Sequence, residues 1–290
     1  MTAELVTIAS DTVTAQINPF GAELWSLTDA QGREFMTDAD PAFWTGHAPV
    51  LFPIVGELAG GHYRLGDQTH ALARHGFARR SAFELVEHEG HIARFRLCDS
   101  PESRGVYPFA FVLELAYRIH GARLEIEAVV RNPGETPLPF SLGFHPGFAW
   151  PLPDGGDKLA HTIVFERDEP GPLLRLNDKG LFEGREPSPV RGDTLALAPE
   201  LFARDALVWD DLASRSVVYR GESGPGLRID FPDTPHLGVW QKPGAGFLCI
   251  EPWHGHADAE GFTGDFRDKP GVIALPAGEV RSFRVDVTVI

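Results

Sequence analysis

Cysteine occurs only twice in this chain of 290 residues. Cys98 and Cys249 fit no repeated metal-ligand spacing and say little about disulfides, so free buried thiols are the simplest expectation. Positive charge is also scarce: 26 Lys and Arg face 41 Asp and Glu, a formal net charge of −15. That balance argues against nucleic acid or an anionic membrane as partner, because their phosphates would be repelled. A small anionic substrate remains compatible, since a local arginine pair can outweigh the global field. No apolar run approaches the ~18 residues that span a bilayer. The N-terminus Met1-Thr2-Ala3-Glu4-Leu5 has no basic region leading into an apolar stretch, so the sequence predicts no signal peptide and a cytoplasmic protein. Long amphipathic helices are missing, which disfavours alternating strands and helices. Nucleophile-elbow, phosphate-loop and dinucleotide fingerprints are absent too.

Strand signals are abundant. The 31 Gly and 24 Pro are spread along the chain and punctuate short segments of strand character. The sequence predicts strands at 13–17, 93–97, 109–118, 123–131, 216–219, 227–231, 237–241, 246–251 and 281–289. In Leu124-Glu125-Ile126-Glu127-Ala128-Val129 the carboxylates fall on one face and the apolar residues on the other, the period-two pattern of a half-buried strand. Short helical turns are expected at 199–203 and 42–45. The reading is an all-β fold of stacked antiparallel sheets, one domain over residues 1–290, with a broad concave face suited to a sugar-sized ligand.

Two segments far apart each set one titratable group among apolar and turn-forming residues: Gly143-Phe144-His145-Pro146-Gly147-Phe148 and Cys249-Ile250-Glu251-Pro252-Trp253-His254-Gly255. Glu251 ends an apolar run that Pro252 is expected to stop, lacking an amide hydrogen. A carboxylate beside an indole at a buried strand end is desolvated, which raises its pKa and strengthens it as a base. An equally bland role, bonded to local amides, competes with function. Pro146 biases His145 to an extended backbone; alone, His145 reads best as a satisfied core histidine. Brought into one pocket, the two are an acid/base pair suited to neutral pH. If Arg74-His75-Gly76-Phe77-Ala78-Arg79 is extended, His75, Phe77 and Arg79 share a face and offer donors to hydroxyls or to a phosphate; a surface basic strand is the competing account of Arg74 and Arg80. Asp205 is a candidate acceptor for ligand hydroxyls or a turn residue, and Trp240, Gln241 and Lys242 close a strand that can line the same concavity. His254-Gly255-His256 with Glu260 has the spacing of a first cupin metal element, but no second element follows, so no metal is expected.

Together these motifs resemble the aldose 1-epimerase (galactose mutarotase-like) family, in the branch with LacX-like proteins and glucose-6-phosphate 1-epimerases. The resemblance is carried by Asn18-Pro19-Phe20-Gly21-Ala22-Glu23-Leu24, by the stretch from Ala48 to Gly56, and by His75-Gly76-Phe77-Ala78-Arg79. Tyr107-Pro108-Phe109, Gly143-Phe144-His145-Pro146, Trp240-Gln241-Lys242-Pro243 and Glu251-Pro252-Trp253 complete it. It implies a single β-supersandwich domain and interconversion of sugar anomers through transient ring opening, with no cofactor. By that likeness Glu251 would be the general base at the C1 hydroxyl, His145 the general acid at the ring oxygen, and His75 a sugar ligand. Arg79 and Arg74 would be phosphate ligands in the hexose-phosphate branch, and Asp205 matches the family's sugar-binding acid only loosely. An Asn-Arg pair that contacts sugar in galactose mutarotases is replaced here by Phe52-Pro53, so a galactose preference is not implied. The partner is a sugar or sugar phosphate and the protein a monomer or homodimer. A non-catalytic carbohydrate-binding protein on the same fold is the rival reading.

Overall fold

A computed structural model describes residues 4–290. Strand follows strand with little helix between. The strand Arg123–Arg131 shows why: Leu124, Ile126, Ala128 and Val130 alternate inward, while Arg123, Glu125, Glu127 and Arg131 face outward. Arg118 on the adjacent strand reaches Glu125 and Glu127 at 2.9 and 3.1 Å on that outer face. Such pairs keep the wet side charged and contribute little stability each.

Two large antiparallel sheets dominate. The first has nine strands in the order Thr194–Ala196, Thr162–Phe165, Ser216–Arg220, Leu227–Asp230, Val280–Val289, Arg123–Arg131, Val112–His120, Ile92–Cys98 and Glu84–Glu89. The second runs Phe182–Glu186, Leu173–Leu176, Leu207–Trp209, His236–Trp240, Phe247–His254, Leu142–Phe144 and Val50–Leu51, with Gly147–Ala149 also paired to Phe247–His254. Their inner faces meet: Phe165 of the first packs on Trp209 of the second with ring centroids 5.5 Å apart, and the Tyr219 hydroxyl donates to Ala149 O at 2.9 Å. One hydrophobic cluster extends from Val6 to Val287 through this interface.

On the second sheet the side chains alternate between that core and an outer concave face. Along Phe247–His254, Leu248 and Ile250 join the core, while Cys249, Glu251 and Trp253 lie on the concave side. Glycine gives the Trp253 ring its room: a Cβ at Gly238 would come within 2.6 Å of the ring, and one at Gly143 within 2.5 Å.

The strand containing Glu251 does not stop at Pro252; it continues to His254, with Pro252 opposite Leu237. Amides alternate sides along a strand. Ile250 N–H donates to Pro146 O, so the Pro252 nitrogen faces the same neighbour, and the register that sets Gly143 opposite Trp253 puts it opposite Phe144, the last residue of Leu142–Phe144. The proline leaves one rung without a donor at that strand end. Other expectations also shift. The short turn expected at 42–45 falls at 41–43, and Pro101–Val106 is a helix that periodicity misses because it is so short. Its signals were local: Ser100 caps the amide of Ser103, Ser103 returns the bond, and Pro101 sits in the first turn. Both cysteines are free, but only Cys249 is buried; Cys98 is exposed. Among the described residues no helix is long and apolar enough to cross a membrane.

Candidate active site

The concave face encloses a cavity of about 820 Å³. Glu251 and His145 meet at its floor, with Nε2 of His145 3.2 Å from a Glu251 carboxylate oxygen. The strand pairing brings Glu251 up from the sheet centre, while His145 sits in the break between two short strands, its N–H donating to Pro49 O at 3.1 Å. The imidazole is packed on three sides by rings: Trp44 stacks at 5.0 Å, and His75 and Trp240 approach edge-on at 5.7 and 5.9 Å.

Burial sets the charge of this pair. It raises the Glu251 carboxyl well above its usual range, helped by the nearby Asp205 carboxylate and opposed by the Arg74 guanidinium. It also lowers the His145 imidazole to about 3, with Arg79 and Arg74 acting in the same direction. Both effects favour the neutral form of each group over the charged pair, an arrangement in which one proton is readily shared between them.

The wall beside the pair is the segment 74–79. It is not extended as the sequence reading supposed. His75 and Gly76 both take positive φ (66° and 70°), and Ala78–Arg80 is a 3-10 turn. Phe52 O accepts from the amides of both Phe77 and Ala78, and Gly56 and His75 exchange bonds: His75 N–H donates to Gly56 O, and Gly56 N–H donates to His75 Nδ1 at 3.1 Å. Because Nδ1 is an acceptor, the imidazole proton must sit on Nε2. Burial, His145, Arg79 and Arg74 all push the His75 pKa well down, so it is a neutral donor. The turn sends Phe77 to the aromatic cluster around Phe52 and Phe111 while His75 and Arg79 reach the cavity. Five described non-glycine residues have positive φ, and two of them, His75 and Asp205, line this cavity. Holding such a backbone costs about 1–2 kcal/mol each.

The structure brings together Glu251, His145, His75, Arg74, Arg79, Asp205 and Trp240. Gln241 is not among them: its side chain is fully buried and donates to Ala245 O at 2.9 Å, closing the turn after its strand. Arg80 is exposed outside the cavity. Phe52 is buried in the aromatic core, so the position of the family's Asn-Arg pair presents no side chain to the cavity. Sequence reasoning missed Trp44, whose lone indole in a turn carried no period to find it by. It also missed the loop with Asn177, Asp178 and Gly180, which forms the opposite wall. Arg74 reaches across to this loop: its guanidinium lies against Gly180, where a Cβ would force the arginine to move.

Polar groups are left waiting at this site. Buried and without hydrogen-bond partners are His145 Nδ1 and the Nε atoms of Arg74 and Arg79. Buried polar atoms are nearly always paired, so such a concentration marks a place for a polar ligand. The cupin-like trio does not assemble: His254 and His256 bond to Gly271 O and Ala257 O, and Glu260 is exposed near Lys179.

Comparison with known proteins follows this geometry. A family model described as Aldose 1-epimerase matches residues 4–267. The chain is 32% identical over 301 aligned residues to the chromosomal protein LacX of Lactococcus lactis subsp. lactis, with all of both chains covered. Its fold superposes on a galactose mutarotase related enzyme from Lactobacillus acidophilus with TM-score 0.92 and 32% identity, covering 99% of this chain and 97% of that one. A galactose mutarotase-like protein from Lactobacillus casei gives the same TM-score of 0.92 at 28% identity, covering 99% and 100%.

Proposed function

The chain belongs to the aldose 1-epimerase family, and from that premise we propose that it interconverts the α and β anomers of a hexose or hexose phosphate. The observation that carries the reading is the buried pair at 3.2 Å, Glu251 with His145, at the floor of a sugar-sized cavity. Glu251 takes the proton of the C1 hydroxyl as His145 gives one to the ring oxygen. The ring opens to the aldehyde, the C1–C2 bond rotates, and closure reverses both transfers. The pair needs one proton in total, and burial, which disfavours a separated carboxylate and imidazolium, suits a shared one. Sugar binding shifts it from Glu251 to His145, making base and acid at once. His75, fixed with its proton on Nε2, donates to the sugar beside them. Trp44 and Trp240 keep water from the imidazole.

Arg74 and Arg79 give the cavity two guanidinium groups with spare donors. They favour a phosphorylated hexose, since a guanidinium fork matches phosphate oxygens. NMR exchange spectroscopy at anomeric equilibrium, with glucose, galactose and glucose 6-phosphate compared, tests both parts. Acceleration of one sugar that disappears in Glu251→Gln and in His145→Ala supports the enzyme. Binding without acceleration of any sugar would sink the epimerase reading in favour of a carbohydrate-binding protein.

A further inference from the structure

Cys249 has no role in the sugar chemistry above, yet it shares the concave face of its strand with Glu251, two residues on. Sγ of Cys249, a ring nitrogen of His145 and a carboxylate oxygen of Glu251 all lie within 4.8 Å of one another, and all three residues are buried. Among the described residues no other three His, Cys, Asp or Glu side chains converge in this way. Glu251 Oε2 stands 3.2 Å from His145 Nε2, and the other ring nitrogen of His145 is buried without a hydrogen-bond partner. One sulfur, one imidazole nitrogen and one carboxylate oxygen form a donor set for Zn²⁺ or Cd²⁺, whereas Mg²⁺ and Ca²⁺ want oxygen throughout. Around a tetrahedral Zn²⁺ such donors stand about 3.3–3.8 Å apart, so closing on an ion takes side-chain shifts on the order of an ångström. Thiolate and carboxylate together neutralise a dication, which suits a dry site. Two of the three residues, His145 and Glu251, line the cavity, which gives an ion its route in.

We infer that Cys249, His145 and Glu251 form an inhibitory site for thiophilic divalent cations, one that captures the sugar-handling pair. Binding needs Cys249 as the thiolate and Glu251 as the carboxylate, so the ion competes with protons for the site.

The test is titration of the purified protein with Cd²⁺, followed by the ultraviolet charge-transfer absorption of a Cd²⁺–thiolate bond, with Zn²⁺ as competitor. One Cd²⁺ per chain is expected. The band should persist in Cys98→Ser, vanish in Cys249→Ser and Cys249→Ala, and require at least about tenfold more Cd²⁺ in Glu251→Gln. In sugar exchange, Cys249→Ser should keep its basal rate and lose sensitivity to Zn²⁺ by a similar factor. A band carried by Cys98, no band in the wild type, or equal Zn²⁺ sensitivity in Cys249→Ser overturns the site. The absorption readout stands alone, so a chain that exchanges no sugar would still reveal whether the metal site exists.

Discussion

Replacing Glu251 by glutamine separates chemistry from architecture. The residue is 1% exposed, and burial already favours its uncharged form. Gln keeps shape and volume and is likewise uncharged, so the change in folding free energy should stay within about 1 kcal/mol. A charged carboxylate stabilised by a salt bridge would behave differently, because removing one partner of a buried pair strands the other. The chemistry has no such cushion. A well-placed proton-transfer group contributes roughly 10²–10⁴-fold, or about 2.7–5.5 kcal/mol of barrier. Exchange between anomers, followed by NMR magnetisation transfer, should fall by that factor towards the spontaneous rate. Sugar affinity should stay within a few-fold and the thermal midpoint should hardly move. The wild-type pH profile should be a bell whose limbs belong to the pair: acid adds a second proton, alkali removes the only one. Exchange in Glu251→Gln within tenfold of wild type, with the protein folded and sugar bound, would refute the reasoning and remove Glu251 from the reaction.

Arg79→Ala should weaken binding of glucose 6-phosphate by at least tenfold more than binding of glucose, measured by calorimetry; equal losses would make Arg79 structural. His47 and His236 are held neutral by burial, with pKa values lowered from 6.5 to about 4. The unfolded chain binds protons that the folded one refuses between those values. Stability should therefore be complete above about pH 6.5 and fall by up to about 3 kcal/mol per residue as pH drops to 4, seen as a declining denaturant midpoint. Lys269 and Asp258 are 4% exposed each and paired at 2.8 Å. Lys269→Met should cost about 3–5 kcal/mol in urea unfolding, and adding Asp258→Asn should recover part of it. Gly76→Ala would drive a methyl group onto the Phe52 carbonyl at a positive φ. It should cost more than about 2 kcal/mol and displace His75, measured as a lower melting temperature with weakened sugar binding.

Alternation was the legible part of the fold. The strand Arg123–Arg131 has the residues that the sequence reading gave it, because one of its faces is core and the other water. Short strands such as Thr194–Ala196 and Leu142–Phe144 hold too few residues to display a period, and the sheet order that places them is a tertiary fact. The candidate site was legible as chemistry, residue by residue, and illegible as shape. Glu251 and His145 stood out by type and neighbours. Pro252 misled, because the strand runs on past it: the proline faces the end of Leu142–Phe144, a neighbour a hundred residues earlier. Gln241 misled in the other direction: it follows Trp240 in the motif, but the strand ends at Trp240 and the glutamine side chain turns inward to Ala245 O.

The strand Val280–Val289 is the last in the chain and the fifth of nine in its sheet, with four strands on either side. Until it arrives, Leu227–Asp230 and Arg123–Arg131 face each other as open edges, each with a row of unpaired backbone groups. The sheet therefore cannot be completed from the N-terminus as the polypeptide is made. Two half-sheets must wait for the closing segment, and the interval is when the molecule is most exposed to pairing with another copy of itself. Its final ten-residue strand is a keystone in time as well as in space.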